Sequence, residues 1–257
     1  MQGIASFAMK GRYQALVSVL LFSVISVWIA PFGILVGAII ALITLRVGVV
    51  EGIQALAWGV ISHLFLTVML SGSYWPGFIS VMEYMLPVWV LSLVLRQTNS
   101  LASTLQVAMI MSGIGVLGFY LLISNPQDWW LELFSQHVLP ILDASKVVYE
   151  AESVKIFAGM VTMLLAVFAV VLWYSIVLIA RYWQSSLYHP GQFKIDFYQL
   201  RLPKSTAYAA IVLALLAVVF EFRIVIDLST IVMVGLMFQG LAIAHQTLAV
   251  KKCTPHG

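Results

Sequence analysis

A long apolar tract fills residues 13–95, which read YQALVSVLLFSVISVWIAPFGILVGAIIALITLRVGVVEGIQALAWGVISHLFLTVMLSGSYWPGFISVMEYMLPVWVLSLVL. Within it only Arg46, Glu51 and Glu83 are ionised at neutral pH. Across all 257 residues, 62% are hydrophobic and 9% are charged, whereas soluble domains average about 45–50% and about 25%. A helix needs about 20 apolar residues to cross the hydrocarbon core of a bilayer, and this chain supplies such runs repeatedly. The composition therefore predicts an all-α, polytopic membrane helix bundle.

Interruptions of the apolar sequence predict about eight transmembrane helices. The Pro31-Phe32-Gly33 break separates two short ones, because proline removes a backbone donor and clashes with the preceding turn. One long tilted helix is the alternative there. Pro87 predicts a kink in the fourth crossing. The predicted crossings are Gln14–Ala30, Ile34–Leu45, Val47–Leu70, Phe78–Leu95, Leu101–Ile123, Val154–Ala180, Ser205–Phe220 and Ile224–Gln246, which together make residues 1–257 a single integral membrane domain.

Two polar stretches lie between the crossings, an outer loop at 127–153 and a cytoplasmic loop at 181–204. The outer loop begins with Trp129 and Trp130 and then carries apolar residues at near-helical spacing, which is typical of a helix lying in the membrane interface. A plain solvated loop is the equal alternative. Glu221–Arg223 predict a tight charged turn, and 247–257 a short tail.

The distribution of Lys and Arg predicts the orientation. With a cytoplasmic N-terminus, the three basic residues on the outer side are Lys146, Lys155 and Arg223. Such an excess of positive charge inside is the usual pattern in membrane proteins, so both termini are expected to be cytoplasmic. The ten on the inner side are Lys10, Arg12, Arg46, Arg96, Arg181, Lys194, Arg201, Lys204, Lys251 and Lys252.

Ionisable side chains inside a bilayer are costly, so those within the crossings are the first candidates for function. His63 lies near the outer end of the third crossing, and Glu83 near the outer start of the fourth. Since these helices are antiparallel neighbours, both side chains should lie at similar depth in the outer leaflet. A carboxylate beside an imidazole could bind a polar group or relay a proton. The alternative is that each satisfies a nearby backbone group or hydroxyl.

The predicted substrate-binding site consists of His63, Glu83 and Tyr84, with Tyr74 and Trp75 of the adjoining loop as a lid. The remaining polar and small residues of the crossings have simpler interpretations.

Glu51 is expected to reach the interface or to pair with Arg46. Arg223 and Asp227 have the i, i+4 spacing of an outer-interface salt bridge. A ridge of small residues at four-residue spacing favours close packing inside the bundle, with a docking face for a partner subunit as the alternative. The ridge consists of Gly33, Gly37 and Ala41 on the second crossing and of Gly48 and Gly52 on the third.

Several function classes are not indicated by the sequence. It has no Gly-Lys-Ser/Thr phosphate-binding loop, no His-Glu-x-x-His and no Gly-x-Ser-x-Gly, so neither an enzyme nor a cofactor is predicted. The single cysteine, Cys253, excludes a disulfide framework within the chain and a Cys-based zinc site, and no metal site is predicted. The net charge of +3 is interpreted as a topology signal and not as a sign of nucleic-acid binding.

The most distinctive segment lies at residues 181–193, RYWQSSLYHPGQF. Its Pro-Gly pair predicts a turn, and the flanking aromatic residues can anchor both arms to the inner headgroup layer. The segment is therefore expected to be ordered. Its candidate functional residues, together with a later arginine, are Arg181, Trp183, Gln184, Tyr188, Pro190, Gly191, Phe193 and Arg201.

This motif resembles the hallmark of the YybS-like family of bacterial membrane proteins, in which an Arg-aromatic-Trp-Gln run leads to Leu-Tyr-x-Pro-Gly and then to Leu-Arg-Leu, here 200–202. The segment 238–242 with His245 is similar to the last shared helix of the family. That family is distantly similar to the substrate-binding subunits of energy-coupling-factor transporters. The resemblance implies a compact helical bundle in the bacterial cytoplasmic (inner) membrane that binds a small molecule from outside.

Two functions remain open from the sequence. The first is a small-molecule-binding or transport-related subunit, with the lipid bilayer, a small-molecule ligand and a membrane protein as its partners. The second is a non-transporting scaffold that recruits a cytoplasmic protein through residues 181–204. A polar-lined cavity in the outer half would favour the first function, and solid packing there would favour the second.

Overall fold

The structure, a computed structural model, describes residues 2–253 and the side chains of residues 3–249. All regular secondary structure in this range is helical, which confirms the predicted all-α class. The helices are α1 Gln2–Ala8, α2 Arg12–Trp28, α3 Gly33–Arg46, α4 Val49–Ser71, α5 Trp75–Thr98, α6 Leu101–Leu122, α7 Pro126–His137, α8 Leu139–Ala144, α9 Ala151–Tyr188, α10 Gln192–Tyr198, α11 Lys204–Phe220 and α12 Arg223–Cys253.

Five helical segments in the described residues are long and apolar enough to cross a membrane. They are α4, α5, α6, α9 and the part of α12 at Arg223–Ala249. Shorter apolar helices occupy Arg12–Trp28, Ala30–Arg46 and Lys204–Phe220. The protein therefore has the helices of a multi-pass membrane protein, five of them with full crossing length.

The break predicted at residues 31–33 is confirmed, so the alternative of one long tilted helix is wrong. A 3₁₀ turn, Ala30–Phe32, separates α2 from α3. Ile29 before it has an extended backbone, with φ −130° and ψ 87°. Pro31 has no N–H with which to continue the hydrogen-bond ladder of α2, and the chain turns where that ladder ends.

A π turn precedes Pro87, where a kink was predicted; whether the helix axis bends there stays a prediction. The π turn spans Val81–Met85 within α5, and the N–H of Leu86 donates to the carbonyl of Val81, five residues back. In a regular α-helix the ring of Pro87 would clash with the carbonyl of residue 83. Widening the preceding turn relieves that clash and places Glu83 and Tyr84 on irregular backbone.

Residues 181–204 do not form the predicted loop. Helix α9 continues through Tyr188, and α10 follows after a turn, so the segment is a helix–turn–helix. Likewise α12 continues through 247–253, where a tail was expected, while residues 254–257 lie outside the described residues. Polar residues end a hydropathy run without ending a helix, and α9 stops only where Pro190 and Gly191 break it.

The polar stretch at 127–153 contains two helices, α7 and α8, so the alternative of a plain loop is wrong. Helix α7 begins with Asn125 as its N-cap, whose side chain accepts from the N–H of Asp128, and with Pro126 in the first turn. Trp129 and Trp130 pack edge to face with ring centroids 4.6 Å apart. Their position in a membrane interface stays a prediction.

Packing divides the described chain into two units. Unit 1 comprises residues 2–108, 171–202 and 238–253, and unit 2 comprises 109–170 and 203–237. That both belong to one integral membrane domain stays a prediction.

Unit 1 uses the predicted ridge of small residues for internal packing. A Cβ on Gly33 would lie 2.5 Å from the ring of Tyr84, and one on Gly37 would overlap the backbone carbonyl of the same residue. Gly52 faces the side chain of Thr44 just as closely, and Ala41 is fully buried. These positions are covered by the protein's own helices, so the alternative of a docking face for a partner is wrong for them.

Unit 2 is held together by hydrogen bonds between its helices as well as by apolar packing. Ser112 Oγ donates to the backbone carbonyl of Ala166 at 2.9 Å, and Trp130 Nε1 donates to Thr162 Oγ1 at 2.9 Å. Both bonds join α9 to a neighbouring helix, and hydrogen bonds of this kind stabilise helix pairs in an apolar environment.

Candidate functional site

His63 lies on the face of α4 that packs against α2. Its ring is 2% exposed, and Nδ1 lies 3.3 Å from the backbone carbonyl oxygen of Ser23 and 3.4 Å from Ser26 Oγ. Ser26 Oγ itself donates to the carbonyl of Ser23 at 2.9 Å. The position follows from the sequence of α4, where Ala55, Gly59, His63 and Thr67 form a buried stripe at i, i+4 spacing.

The predicted pairing of His63 with Glu83 is not formed. Among the described residues, no hydrogen bond or ion pair joins the two side chains, and Glu83 is half-buried beside Tyr84. Gly77 of α5 contacts Thr67 of α4, and Met85 of α5 contacts Gly59 of α4. Val81 lies midway between the two α5 residues and His63 midway between the two α4 residues, so Val81 is level with His63. Because residue 83 follows 81 by two positions within the π turn, it points to nearly the opposite side of the helix. The prediction that Glu83 lies at a similar depth to His63 agrees with this packing. The prediction that the Glu83 side chain faces His63 is wrong.

A cavity of about 350 Å³ opens beside His63, and we call it the His63 cavity. It lies at the ends of α2 and α4 and the start of α5. At 1.5 Å per residue, His63 is about 12 Å along α4 from Ser71, where that helix ends. The lining contains no Asp, Glu, Lys or Arg among the described residues and consists of Ser26, Val27, Trp28, Ala30, His63, Thr67, Leu70, Ser71, Pro76 and Ser80.

Of the five predicted site residues, only His63 lines this cavity. Tyr74 and Trp75 are each 57% exposed and stack on one another with ring centroids 5.1 Å apart, next to the lining residue Pro76. Tyr84 is buried against Gly33. Glu83 and Tyr84 therefore do not line the cavity. Hydroxyl residues of α2, α4 and α5 line it instead.

Three of the four hydroxyl groups of the cavity, those of Ser26, Thr67 and Ser71, use their hydrogens within their own helices. Thr67 Oγ1 donates to the carbonyl of His63 at 2.6 Å, and Ser71 Oγ donates to the carbonyl of Thr67 at 2.7 Å. Ser26 Oγ does the same toward Ser23. Since each hydroxyl has a single hydrogen and two lone pairs, these side chains are left with acceptor capacity only.

Of the two alternatives predicted for Glu51, the pairing with Arg46 is wrong, and a position at the membrane interface stays a prediction. Glu51 Oε1 forms an ion pair with Arg12 Nη2 at 3.3 Å, and the Arg46 guanidinium lies 4.0 Å from the centre of the Tyr188 ring. Glu51 is in the first turn of α4, where a negative charge is favoured, and it faces the start of α2.

A second polar cluster forms where α9 meets α10. Arg181 Nη2 lies 2.7 Å from Asp196 Oδ2, Arg181 Nε donates to the same oxygen at 2.8 Å, and Arg181 Nη1 donates to Gln184 Oε1 at 2.6 Å. Gln192 Nε2 donates to Asp196 Oδ1 at 2.7 Å. Both charged side chains are largely buried, so this charge-assisted network fixes α10 against α9.

The same cluster reaches the C-terminal end of α3. Arg96 Nη1 donates at 2.9 Å to the carbonyls of Thr44 and of Leu45, and Gln184 Nε2 donates to the latter at 3.4 Å. The last carbonyls of a helix have no partner within it and carry partial negative charge. Arg96 and Gln184 supply the donors that these carbonyls need.

The turn between α9 and α10 is ordered by its own contacts, as predicted. Gly191 has φ +90°, a conformation that favours glycine. Ser185 Oγ donates to the carbonyl of His189 at 3.0 Å and accepts from the N–H of Phe193 at 2.9 Å. Trp183 is buried, whereas Arg201 is exposed and borders a shallow depression beside Tyr198.

In unit 2, Asp227 is 2% exposed and accepts a hydrogen bond from Tyr120 Oη at 3.0 Å. Within the described residues no ion pair joins it to Arg223 within 4.0 Å, so the predicted outer-interface salt bridge is wrong. The carboxylate faces α6, and i, i+4 spacing alone does not show which neighbour a side chain meets.

The described residues contain no group of three His, Cys, Asp or Glu side chains able to hold a metal ion. Comparisons with protein-family models, with curated proteins and with solved structures give no match. The resemblance to the YybS-like family stays a prediction.

Proposed function

We propose that this protein is a small-molecule-binding or transport-related subunit of the bacterial inner membrane, with its binding site in the outer half of the bundle. The His63 cavity carries this proposal, because polar groups converging in a mostly apolar cavity are typical of ligand sites. Its volume of about 350 Å³ lies within the range of such sites.

The proposed topology has eight crossings with both termini in the cytoplasm. Helices α2 and α11 have 17 residues each, a length of about 26 Å, which a bilayer core of about 30 Å can accommodate by local thinning. With α3 they complete the set of eight. The excess of basic residues on one side supports the orientation, and it places the mouth of the His63 cavity on the outer side.

Mass spectrometry of small molecules that copurify with the protein in lipid nanodiscs tests the proposed function. Ser80→Trp fills the cavity from its half-buried edge, and Ile79→Trp, at a neighbouring residue that is 57% exposed, is the matched control. We expect a bound molecule in the wild type and in the control, and its loss in Ser80→Trp. The same set of molecules in all three proteins would contradict the proposal.

A scaffold that recruits a cytoplasmic partner through residues 181–204 is the second candidate. It is favoured by the rigid helix–turn–helix, which leaves the apolar side chain of Ile195 on α10 exposed. A photo-crosslinking amino acid at position 195, compared with one at the half-buried position 193, tests it in intact cells. A protein crosslinked from position 195 alone would support recruitment, and equal labelling from both positions would argue against it.

A further inference from the structure

We infer that the His63 cavity binds an uncharged small molecule that donates a hydrogen bond to His63 Nε2. This inference rests on the proposed function and specifies the chemical class of its ligand. It follows from the hydrogen bonds of His63 and of three lining hydroxyl groups, and from the lack of charged residues in the described lining.

The imidazole ring of His63 carries its hydrogen on Nδ1. The backbone carbonyl of Ser23 can only accept, and it lies 3.3 Å from Nδ1, so Nδ1 carries a hydrogen. Ser26 Oγ, which gives its own hydrogen to the same carbonyl, offers Nδ1 a second acceptor. No carboxylate reaches the ring among the described residues, and a buried imidazolium without a counter-charge is costly. The ring is therefore neutral, and its free lone pair is on Nε2.

The Nε2 atom of His63 is the acceptor that the ring offers to the cavity. His63 lines the cavity and is 2% exposed, and its side-chain hydrogen-bond contacts with described residues are made through Nδ1. Because the lone pair of Nε2 is not used by any of these contacts, a ligand that brings a donor is stabilised at this point. The hydroxyls of Ser26, Thr67 and Ser71 add further acceptors, because their hydrogens are already used.

Charge and shape limit the ligand further. The described lining residues include no Lys, Arg, Asp or Glu, so an anionic or a cationic group would lose its hydration without meeting an opposite charge. Val27, Trp28, Leu70 and Pro76 provide apolar walls. The cavity therefore suits a compact ligand with an apolar body and one or more O–H or N–H donors.

Three ring-sized probes separate these features. Phenol carries a donor, anisole has the same ring with the donor replaced by a methyl ether, and benzoate carries a negative charge. We would titrate each into the protein in nanodiscs and follow the ¹⁵N resonance of His63 Nε2. We expect phenol to bind at least about tenfold more tightly than anisole, since a buried acceptor is left unpaired with the ether, and benzoate to leave the resonance unchanged.

His63→Asn is the matched control. The amide N–H₂ of asparagine can occupy the place of Nδ1 and donate to Ser23, while the acceptor at Nε2 is lost. In this variant, phenol and anisole should shift the unfolding temperature equally. The probes partition into the lipid to the same extent with the variant and with the wild type, so partitioning does not affect the comparison. If the variant does not fold, the wild-type ¹⁵N titration decides alone.

The outcomes distinguish this inference from the proposed function. Equal affinity of phenol and anisole at a site that Ser80→Trp blocks would overturn the ligand class and leave the binding function standing. Preferred binding of benzoate would do the same. If no probe moves the His63 resonance, the inference fails. The copurification experiment then decides separately whether the cavity has any ligand.

Discussion

We expect Gly37→Ala to reduce the free energy of unfolding by about 1–2 kcal/mol. A Cβ at this position of α3 would overlap the backbone carbonyl oxygen of Tyr84 and would lie 3.1 Å from Ile176 Cγ2. A backbone oxygen cannot move aside as a flexible side chain can, so the helices themselves must separate. Overpacking of this kind costs about 1–3 kcal/mol, and the better helix propensity of alanine recovers about 0.5–1 kcal/mol.

Gly115→Ala on α6 is the control, because a Cβ there would have nothing within 4 Å. That variant should be neutral or slightly stabilised through helix propensity alone. Thermal unfolding in a mild detergent measures both. At about 2–4 °C per kcal/mol, Gly37→Ala should melt at least about 3 °C below Gly115→Ala. A Gly37→Ala variant that melts at or above the control would refute the close approach of α3 to the π turn.

Three further predictions follow from single contacts. Asp196→Asn leaves the largely buried guanidinium of Arg181 without its counter-charge and should lower the free energy of unfolding by about 1–3 kcal/mol, between the costs for surface and buried pairs. Trypsin should then cut more rapidly at Lys194, and unchanged protection would contradict the network. Tyr120→Phe deprives the buried carboxylate of Asp227 of its donor and should lower the unfolding free energy by about 1–3 kcal/mol in chemical denaturation, whereas an unaffected protein would show that another group replaces the hydroxyl. In a cysteine-free background, Tyr74→Cys should react with a membrane-impermeant maleimide from the periplasmic side, and labelling only in inside-out vesicles would invert the topology.

The helix breaks were predictable from sequence because their causes are local. Proline at position 31 ends a hydrogen-bond ladder wherever it stands, and the Pro190-Gly191 pair likewise ends α9. The turn predicted at 221–223 is present, with Glu221 at φ +52°. By contrast, the ends of α9 and α12 were misplaced, because hydropathy reports where lipid ends and not where helical hydrogen bonding ends.

The candidate site was only partly predictable, because a site depends on which face each helix presents. His63 was identified as a buried polar residue, and the alternative that it satisfies a nearby backbone group is the arrangement observed. Its neighbours on α2 and the hydroxyl at Ser80 needed the packing of three helices to be known. Asp196 was missed because its partner is on the other side of a turn, and nothing in the local pattern near 196 indicates an ion pair.

The π turn of α5 has a consequence for how the chain tolerates insertion and deletion. A π turn contains one more residue than the α-helical turn it replaces, so removing a single residue from 81–85 could restore regular helix without breaking the chain. The α-helical turn completes nearly the same rotation with one residue fewer, so the residues after that point would keep almost the same orientation toward α3. Arg96 would still face the end of α3 and donate to its two carbonyl acceptors. A deletion in the regular helix after residue 86 would instead rotate every later residue by about 100°. The π turn is therefore the place in α5 where the loss of one residue disturbs the packing of the rest of the helix least.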